Sequence, residues 1–356
     1  MKKKIVSLHG SYFGNNYGDT LLVNIFAQWI KDVLPDYTIN LPLANKNITK
    51  DLPDGTVGMW NLVRSKCLVF CGGGYFGEQP MNKSRWAWRN FVRHGIIGLL
   101  AIFFRIPYAI IGVEFGPISS KWFRKICLMI ARHSHVIVVR NIESKRFLES
   151  NGVKNVIQSV DAVLSLSEKV KPADTNSNDI LVHIPGNSNA SQYFIKLIEC
   201  LVRVLYDNKM SSRLLFINDS YDEIYYSNQY KDVFDFLERE NIPYSILTYT
   251  GYRPLIKLIN NERYIITTKL HVGITAAALN KRPLSIWQHP KTKRLHEQIG
   301  NAAYCCPLKE IAMYQDVIKD YLTEKSQYVL SNTIKEQALL NKEALFDFIH
   351  TVEKTK

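Results

Sequence analysis

Short apolar runs alternate with longer amphipathic stretches along most of the chain. In the first half, runs of strand length are KIVSL near the start, CLVF at 67–70, YAIIGV at 108–113 and VIVVR at 136–140. Amphipathic segments such as LLVNIFAQWIKDVL lie between them. Continuous apolar strands that alternate with helices are typical of a parallel sheet covered on both faces. We therefore predict a Rossmann-like, doubly wound α/β domain over residues 1–165.

The same pattern restarts after a polar stretch at 166–179, which we interpret as a linker. New strand candidates begin at residues 180, 213, 244, 263 and 284, with amphipathic segments between them. They predict a second Rossmann-like domain over 180–331, followed by a C-terminal helix over 332–356 that could pack back on the N-terminal domain. Two doubly wound domains in series predict a cleft between them.

Ligands of such sheets bind beyond the carboxyl ends of the strands, so the loops that follow strands are the places to look for chemistry. Two of these loops are rich in glycine, which lets the backbone approach an anion closely. Their candidate binding residues are Gly14, Asn15 and Gly18 in HGSYFGNNYGD, and Gly72, Gly73 and Gly74 in VFCGGGYFGE. A tight strand-to-helix turn is the alternative explanation for both loops.

The third loop places Arg140 at the end of a strand and Ser144 in the first turn of the next helix. A strand-terminal arginine beside helix N–H groups suits a carboxylate or a phosphate, because its fork binds two oxygens at once. The alternative is a salt bridge with Glu143 or with another acid of the domain.

The fourth loop, TTKLHVGIT at 267–275, is the most informative. Lys269 and His271 are two residues apart, so on extended backbone they would point the same way. The helix that follows them begins with no acidic residue, although the helix macrodipole favours an acid there. An anionic ligand would complete such a corner. Lys291 follows the next strand and adds a cation near the same sheet edge.

Composition bounds the class of protein. The chain has 356 residues, 46% hydrophobic and 22% charged, which is typical of a folded globular protein. No CxxC pair is present, so we predict no metal site and a reducing, cytoplasmic compartment. MKKKIVSLHG is too short in its apolar part for a signal peptide, and the longest apolar run, IIGLLAIFF at 96–104, is about half the length of a membrane span.

The net charge of +13 is concentrated in one segment. Residues 83–135 hold nine lysines and arginines against one acid, Glu114, and so supply eight of the thirteen charges. No nucleic-acid-binding motif accompanies them, and we predict no nucleic-acid partner. Tryptophans lie among the arginines of 83–104, a combination that suits an anionic membrane surface on its cytoplasmic side. A buried helix with its cations on one solvated face is the competing explanation.

The ordered set GNNYGD, GGG, RNIES, DAV at 161–163 and KLH resembles the polysaccharide pyruvyl transferases over essentially the whole chain. The resemblance implies a GT-B-like fold with two Rossmann-like domains facing an interdomain cleft. It also implies transfer of the enolpyruvyl group of phosphoenolpyruvate onto a sugar as a cyclic ketal, with release of phosphate. The acceptor would be a bacterial surface polysaccharide or its lipid-linked precursor. No cofactor is implied, because phosphoenolpyruvate is a substrate.

The resemblance assigns Arg140 and His271 to the phosphoenolpyruvate site and places Lys291 at a basic position of the family. Lys269 stands where the family usually has arginine. We predict His271 as the proton-transfer residue, because ketal formation needs one proton delivered and another removed near neutral pH. Asp19 is its candidate catalytic partner, and Asp161 is a second one.

Two other functions remain open. A GT-B glycosyltransferase would use a nucleotide sugar, but its usual carboxylate for the donor ribose is missing from HVGITAAALN at 271–280. A non-catalytic saccharide-binding subunit would not need Lys269, His271 and Arg140 together.

Overall fold

The computed structural model describes residues 4–14, 16–44, 48, 52, 55–77, 83–175, 177–184, 191–221, 230–287 and 290–354. The chain forms two compact units. The N-terminal unit consists of Met1–Asn15, Asp19–Val163 and Lys335–Lys356. The C-terminal unit consists of Asn16–Gly18 and Leu164–Ile334.

A seven-stranded parallel sheet forms the centre of the N-terminal unit, in the order β3-β2-β1-β4-β5-β6-β7. The chain winds outward from β1 in one direction and then from β4 in the other, so the topological switch point lies between β1 and β4. The strands are β1 Ile5–His9, β2 Thr38–Leu41, β3 Gly55–Val57, β4 Cys67–Cys71, β5 Tyr108–Val113, β6 Val136–Val139 and β7 Val156–Gln158.

The C-terminal unit has a six-stranded parallel sheet with the order β10-β9-β8-β11-β12-β13. Its switch point lies between β8 and β11, because the chain reverses direction between them. The strands are β8 Ile180–His183, β9 Leu214–Ile217, β10 Tyr244–Leu247, β11 Tyr264–Thr267, β12 Pro283–Trp287 and β13 Cys305–Pro307.

Helices connect most consecutive strands in both units, because neighbouring parallel strands need a crossover connection. The α-helices are α1 Tyr17–Val33, α2 Met59–Val63, α3 Lys83–Asn90, α4 Ile96–Phe103, α5 Lys121–His133, α6 Ile142–Ser150, α7 Ser191–Asp207, α8 Lys231–Arg239, α9 Tyr252–Asn261, α10 Leu270–Ala278, α11 Pro290–Gln298, α12 Gln315–Thr323 and α13 Asn332–Lys354. A π-helical turn, Phe91–Gly95, joins α3 to α4. Among the described residues, none of the helices combines the length and the hydropathy that a membrane span requires.

Each unit has its own apolar core, built largely from the strands that the sequence predicts. Phe70, Ile110 and Ile137 belong to the N-terminal core, and Val182 and Ile266 belong to the C-terminal core. From Lys335 onward α13 belongs to the N-terminal unit.

The described part of the chain contains four strands that the apolar runs do not predict: β2, β3, β7 and β13. They have three or four residues each, and three of them lie at the edges of their sheets. Such a strand needs no continuous apolar run, because it is less covered by helices than a central one. Within the predicted linker, Ala173 and Thr175 hydrogen-bond to Asn260 and Asn261 of α9.

Candidate functional site

Four polar side chains converge at the switch point of the C-terminal sheet. His183 is the last residue of β8, Asp219 lies two residues after β9, and Thr268 and Lys269 follow β11. Strands β9, β8 and β11 are consecutive in the sheet, so their carboxyl ends meet at one edge. This edge is where ligands of doubly wound sheets bind.

The Asp219 carboxylate is the centre of this cluster. Its Oδ1 lies 3.3 Å from His183 Nε2, and its Oδ2 lies 3.2 Å from Lys269 Nζ. His183 Nδ1 lies 3.1 Å from Thr268 Oγ1, so the ring is held on both sides. Burial alone would raise the pKa of Asp219, but the hydrogen bond from His183 and the charge of Lys269 outweigh it and hold that pKa below its ordinary value. Asp219 is therefore a buried carboxylate, whereas the Lys269 side chain is 44% exposed.

A segment from the first glycine-rich loop packs onto this cluster. Asn16, Tyr17 and Gly18 belong to the C-terminal unit although their neighbours in sequence do not. The Tyr17 N–H donates to the Asp219 carbonyl at 2.8 Å, and Asn16 forms an antiparallel bridge with Ser220. Asn16, Tyr17 and Gly18 of GNNYGD thus form part of the wall of the site at the switch point of the C-terminal sheet, which we call the C-terminal site.

Two further contacts join this segment to helix α10. The Tyr17 hydroxyl lies 2.7 Å from Thr275 Oγ1, and both residues are buried. Thr275 Oγ1 in turn donates to the His271 carbonyl at 2.8 Å. These bonds fix the first turn of α10 against the start of α1.

Gly18 makes room for the His271 ring. A Cβ at Gly18 would lie 2.1 Å from His271 Nδ1 and 2.3 Å from its Cγ, far inside van der Waals contact. The glycine is therefore required by the position of the histidine. The spacing of GNNYGD gives no sign of this, because the two residues are more than 250 positions apart in the sequence.

The corner itself differs from the extended geometry that the sequence predicts. Lys269 is extended and stands at the N-cap, but α10 begins at Leu270, so His271 is already helical. The backbone from Lys269 to His271 is thus not extended throughout, as the prediction that their side chains point the same way assumes. No side chain caps α10, and its first turn holds no acid. The positive end of the α10 dipole and the Lys269 residue therefore lie together at the start of the helix.

In the N-terminal unit, Arg140 forms a buried ion triad. Its Nη1 donates to Asp161 Oδ2 at 2.7 Å, and its Nη2 donates to Glu114 Oε2 at 2.8 Å. Burial alone would lower the pKa of Arg140, but the two carboxylates outweigh it and raise that pKa above its ordinary value. The partners are thus other acids of the unit rather than Glu143. A guanidinium has five N–H donors, so the hydrogen bonds to these two acids do not use all of them.

Ser144 is also engaged within the N-terminal unit. Its hydroxyl accepts from the Phe115 N–H at 2.7 Å, and its own N–H donates to Asn141 Oδ1 at 2.8 Å, which caps α6. Ser144 is buried, so its hydroxyl ties α6 to the loop after β5.

The glycine loop after β4 is packed on the switch point of the N-terminal sheet. Gly72 and Gly73 have φ of 48° and 87°, which side chains rarely adopt. A Cβ at Gly72 would lie 2.8 Å from Leu22, and one at Gly73 would lie 3.1 Å from Tyr75. The tight turn explains these two glycines; Gly74 is half-buried and accepts from the Gly77 N–H at 3.2 Å.

The remaining predicted residues lie at the following places. Asp19 lies in the first turn of α1 in the N-terminal unit, and its charge adds to burial in raising the pKa of Cys71 at the end of β4. Gly14 ends a 3₁₀ turn, Tyr12–Gly14. Lys291 is half-buried in the first turn of α11. Asn15 lies outside the described residues. Within the C-terminal unit the structure thus brings together Gly18, Lys269 and His271. Among the described residues no cluster of His, Cys, Asp and Glu could hold a metal ion.

The family model described as polysaccharide pyruvyl transferase matches residues 16–290, which is more than half of the chain. The chain belongs to this family. The match begins at Asn16, the first residue of the segment that packs onto the C-terminal site. A search of curated proteins found no match for this polysaccharide pyruvyl transferase family member.

Solved structures similar to this pyruvyl transferase family member include UDP-GlcNAc 2-epimerases. The epimerase of Methanocaldococcus jannaschii, in complex with UDP-GlcNAc and UDP, has a TM-score of 0.57 at 11% identity, with 96% of this chain and 99% of that chain covered. The Neisseria meningitidis enzyme bound to UDP-GlcNAc has a TM-score of 0.59 at 11% identity, covering 97% and 100%. A further UDP-N-acetylglucosamine 2-epimerase has a TM-score of 0.61 at 9% identity, covering 98% and 97%. At such low identity the likeness shows the fold alone, and it confirms the predicted GT-B-like fold with two parallel α/β sheets.

Sequence reasoning missed three residues of the C-terminal site: His183, Asp219 and Tyr17. His183 and Asp219 lie at or just after predicted strands, and this position alone marks them as candidates for the ligand-binding edge. Their meeting with Lys269 depends on the order of β9, β8 and β11, which the sequence does not contain. Tyr17 has no local signal, because its partner Thr275 lies in another part of the chain.

Proposed function

We propose that this family member transfers the pyruvyl group of phosphoenolpyruvate to a saccharide as a cyclic ketal and releases phosphate. The observation that carries the proposal is the corner at α10, where Lys269, an uncapped helix start and the His271 ring occupy one edge of the sheet. We propose a sugar of a surface polysaccharide or its lipid-linked precursor as the acceptor, and the cytoplasm as the place of reaction.

The charge of the corner suits the donor. Phosphoenolpyruvate carries a phosphate and a carboxylate, which call for cations and helix N–H groups. Lys269 lies at the positive end of α10 and is 44% exposed, so its ammonium group can reach a ligand. The ion pair with Asp219, which His183 also contacts, keeps Lys269 at this edge of the sheet. We therefore assign Lys269 to the donor's anionic groups and Asp219 to the positioning of Lys269.

The chemistry needs a group that carries protons. In the first step a sugar hydroxyl adds to C2 of the donor, and C3 receives a proton and becomes a methyl group. In the second step a neighbouring hydroxyl takes the place of phosphate on C2, and its proton leaves with phosphate or water. An imidazole can accept the hydroxyl proton and deliver it to C3. His271 is the residue that we assign to this transfer, because Gly18 and Thr275 fix its position.

Phosphate release from phosphoenolpyruvate across a panel of saccharide acceptors tests the proposal. We expect phosphate release with at least one saccharide that offers two neighbouring hydroxyls or a 4,6-diol. We expect no phosphate release without an acceptor. Calorimetry with phosphoenolpyruvate and with UDP-GlcNAc complements this assay, and we expect only the first to bind. Tight binding of the nucleotide sugar together with no binding of phosphoenolpyruvate would instead assign the protein to the glycosyltransferases.

A further inference from the structure

Helix α3, the π-helical turn and helix α4 present an apolar stripe to solvent. Trp88 is 62% exposed, Val92 is 43% exposed and Phe103 is 78% exposed. Ile96 and Leu99 lie between them and are half-buried. Successive members are three or four residues apart, so they share one face of the helical segment. Because a surface helix normally turns charged residues to solvent, this face is unusual.

The opposite face of the same segment already supplies the core. Trp86 is 4% exposed and packs edge-on against Phe123 at a ring separation of 5.5 Å. Ile97 and Ala101 are fully buried. The buried-helix explanation therefore holds for this face, and it leaves the exposed stripe without an explanation in the fold.

The stripe continues onto helix α5 through an aromatic cluster. The Trp88 ring lies 5.7 Å from Phe91 and 6.3 Å from Trp122, and Phe91 lies 5.4 Å from Trp122. Trp122 is 44% exposed. We call Trp88, Phe91, Val92 and Trp122 the aromatic patch. It exposes two tryptophans on adjacent helices of the same unit.

Cations lie in the same turns of helix as the aromatic patch. Arg85 and Arg89 flank Trp88 on α3, Lys121 precedes Trp122, and Lys125 follows it by one helical turn; all four are exposed. The sequence has no acid from Lys83 to Val113 and none from Lys121 to His133. The patch is therefore both apolar and strongly positive.

We propose that the aromatic patch docks on an anionic lipid bilayer. A bilayer surface presents negative headgroups directly above an apolar layer, which matches cations and tryptophans in the same turns of helix. Tryptophan favours this boundary because its ring is apolar and its N–H is polar. The one-signed charge favours lipid over a second copy of this chain, since two such patches would repel each other. This inference does not depend on the identity of the donor or the acceptor.

Flotation of the full chain with vesicles tests the proposal. We expect binding to vesicles that contain phosphatidylglycerol at low salt, and none to pure phosphatidylcholine. Raising the salt to about 0.5 M should release the protein, because screening then acts within a few ångströms. The double variant Arg85→Glu/Arg89→Glu should bind at least about 25-fold more weakly, and Trp88→Ser/Trp122→Ser at least about tenfold more weakly.

Matched variants in the C-terminal unit control for charge and apolarity. Lys196→Glu/Lys309→Glu changes the net charge by the same amount at exposed positions, and Met313→Ser removes an 82% exposed apolar side chain. We expect both control variants to bind like the wild type, and both charge variants to keep the wild-type Tm. The tryptophan variant is assayed well below its own Tm, because the two rings pack on each other and on Phe91. Three outcomes would overturn the proposal: no flotation of the wild type, equal flotation of the patch variants, or self-association that the tryptophan variant abolishes in a protein that does not float.

Discussion

Arg140 and Lys269 are both cations that follow a strand, and the two units place them in opposite environments. Arg140 is buried and bonded to Asp161 and Glu114, so its position is fixed by two carboxylates. Lys269 is 44% exposed and pairs with one carboxylate, Asp219. Arg140 is thus a fixed cation whose charge is more than neutralised by its two carboxylates. Lys269 is a partly exposed cation that a ligand can reach.

The comparison shows what a strand-end cation in a sequence does and does not indicate. Position alone predicts that the side chain is near the ligand-binding edge. The partners that decide its role come from neighbouring strands: Glu114 follows β5 beside β6, and Asp219 follows β9 beside β8. An arginine with two buried acids contributes to the stability of its unit whatever else it binds.

The largest expected effect is on stability, from Arg140→Ala. The change leaves Glu114 and Asp161 buried without their cation, which typically costs about 3–5 kcal/mol. Urea unfolding of the variant should therefore show a midpoint well below that of the wild type. Arg146→Ala on α6 is the control, because Arg146 is exposed and its removal should change the free energy of unfolding by less than about 0.5 kcal/mol. Equal midpoints for the two variants would remove the structural role of the triad.

The next effect is on turnover, from Gly18→Ala. A methyl group there would meet His271 Nδ1 at 2.1 Å, so the ring must move. A displacement of about 1 Å in an active site can cost on the order of 100-fold in rate. Steady-state phosphate release measures this loss, and a variant with wild-type turnover would mean that the position of the His271 ring does not matter.

Much of this architecture follows from the sequence, and the limits have physical causes. The central strands, such as β4 and β6, are short apolar runs because helices cover both of their faces. Edge strands such as β3 and β7 lack that pattern. At the site, Lys269, His271 and Gly18 follow from their positions after strands. Asp219 and His183 escape notice because their contacts with Lys269 depend on strand order.

The smallest expected effect concerns pH, through Asp219→Asn. The folded-state pKa of Asp219 is lower than its ordinary value of about 3.9. The ionised Asp219 carboxylate therefore stabilises the fold at pH values above its ordinary pKa. This contribution is lost as the pH falls from there through the lower pKa of the folded state. The variant should be about 1–3 kcal/mol less stable than the wild type at pH 7. Unfolding measured from pH 7 to pH 3 should show this difference shrinking in acid; a constant difference would contradict an ionic role for Asp219.

Turnover and unfolding measured on one sample of His271→Asn test the central claim most directly. Asparagine keeps polarity but has no titratable nitrogen, and general acid–base catalysis is worth about 100- to 10,000-fold. We predict that phosphate release from phosphoenolpyruvate falls by that order, while the Tm and the affinity for phosphoenolpyruvate change little. A lowered Tm with normal turnover per folded molecule would contradict the assignment, because it would make His271 a packing residue at the start of α10.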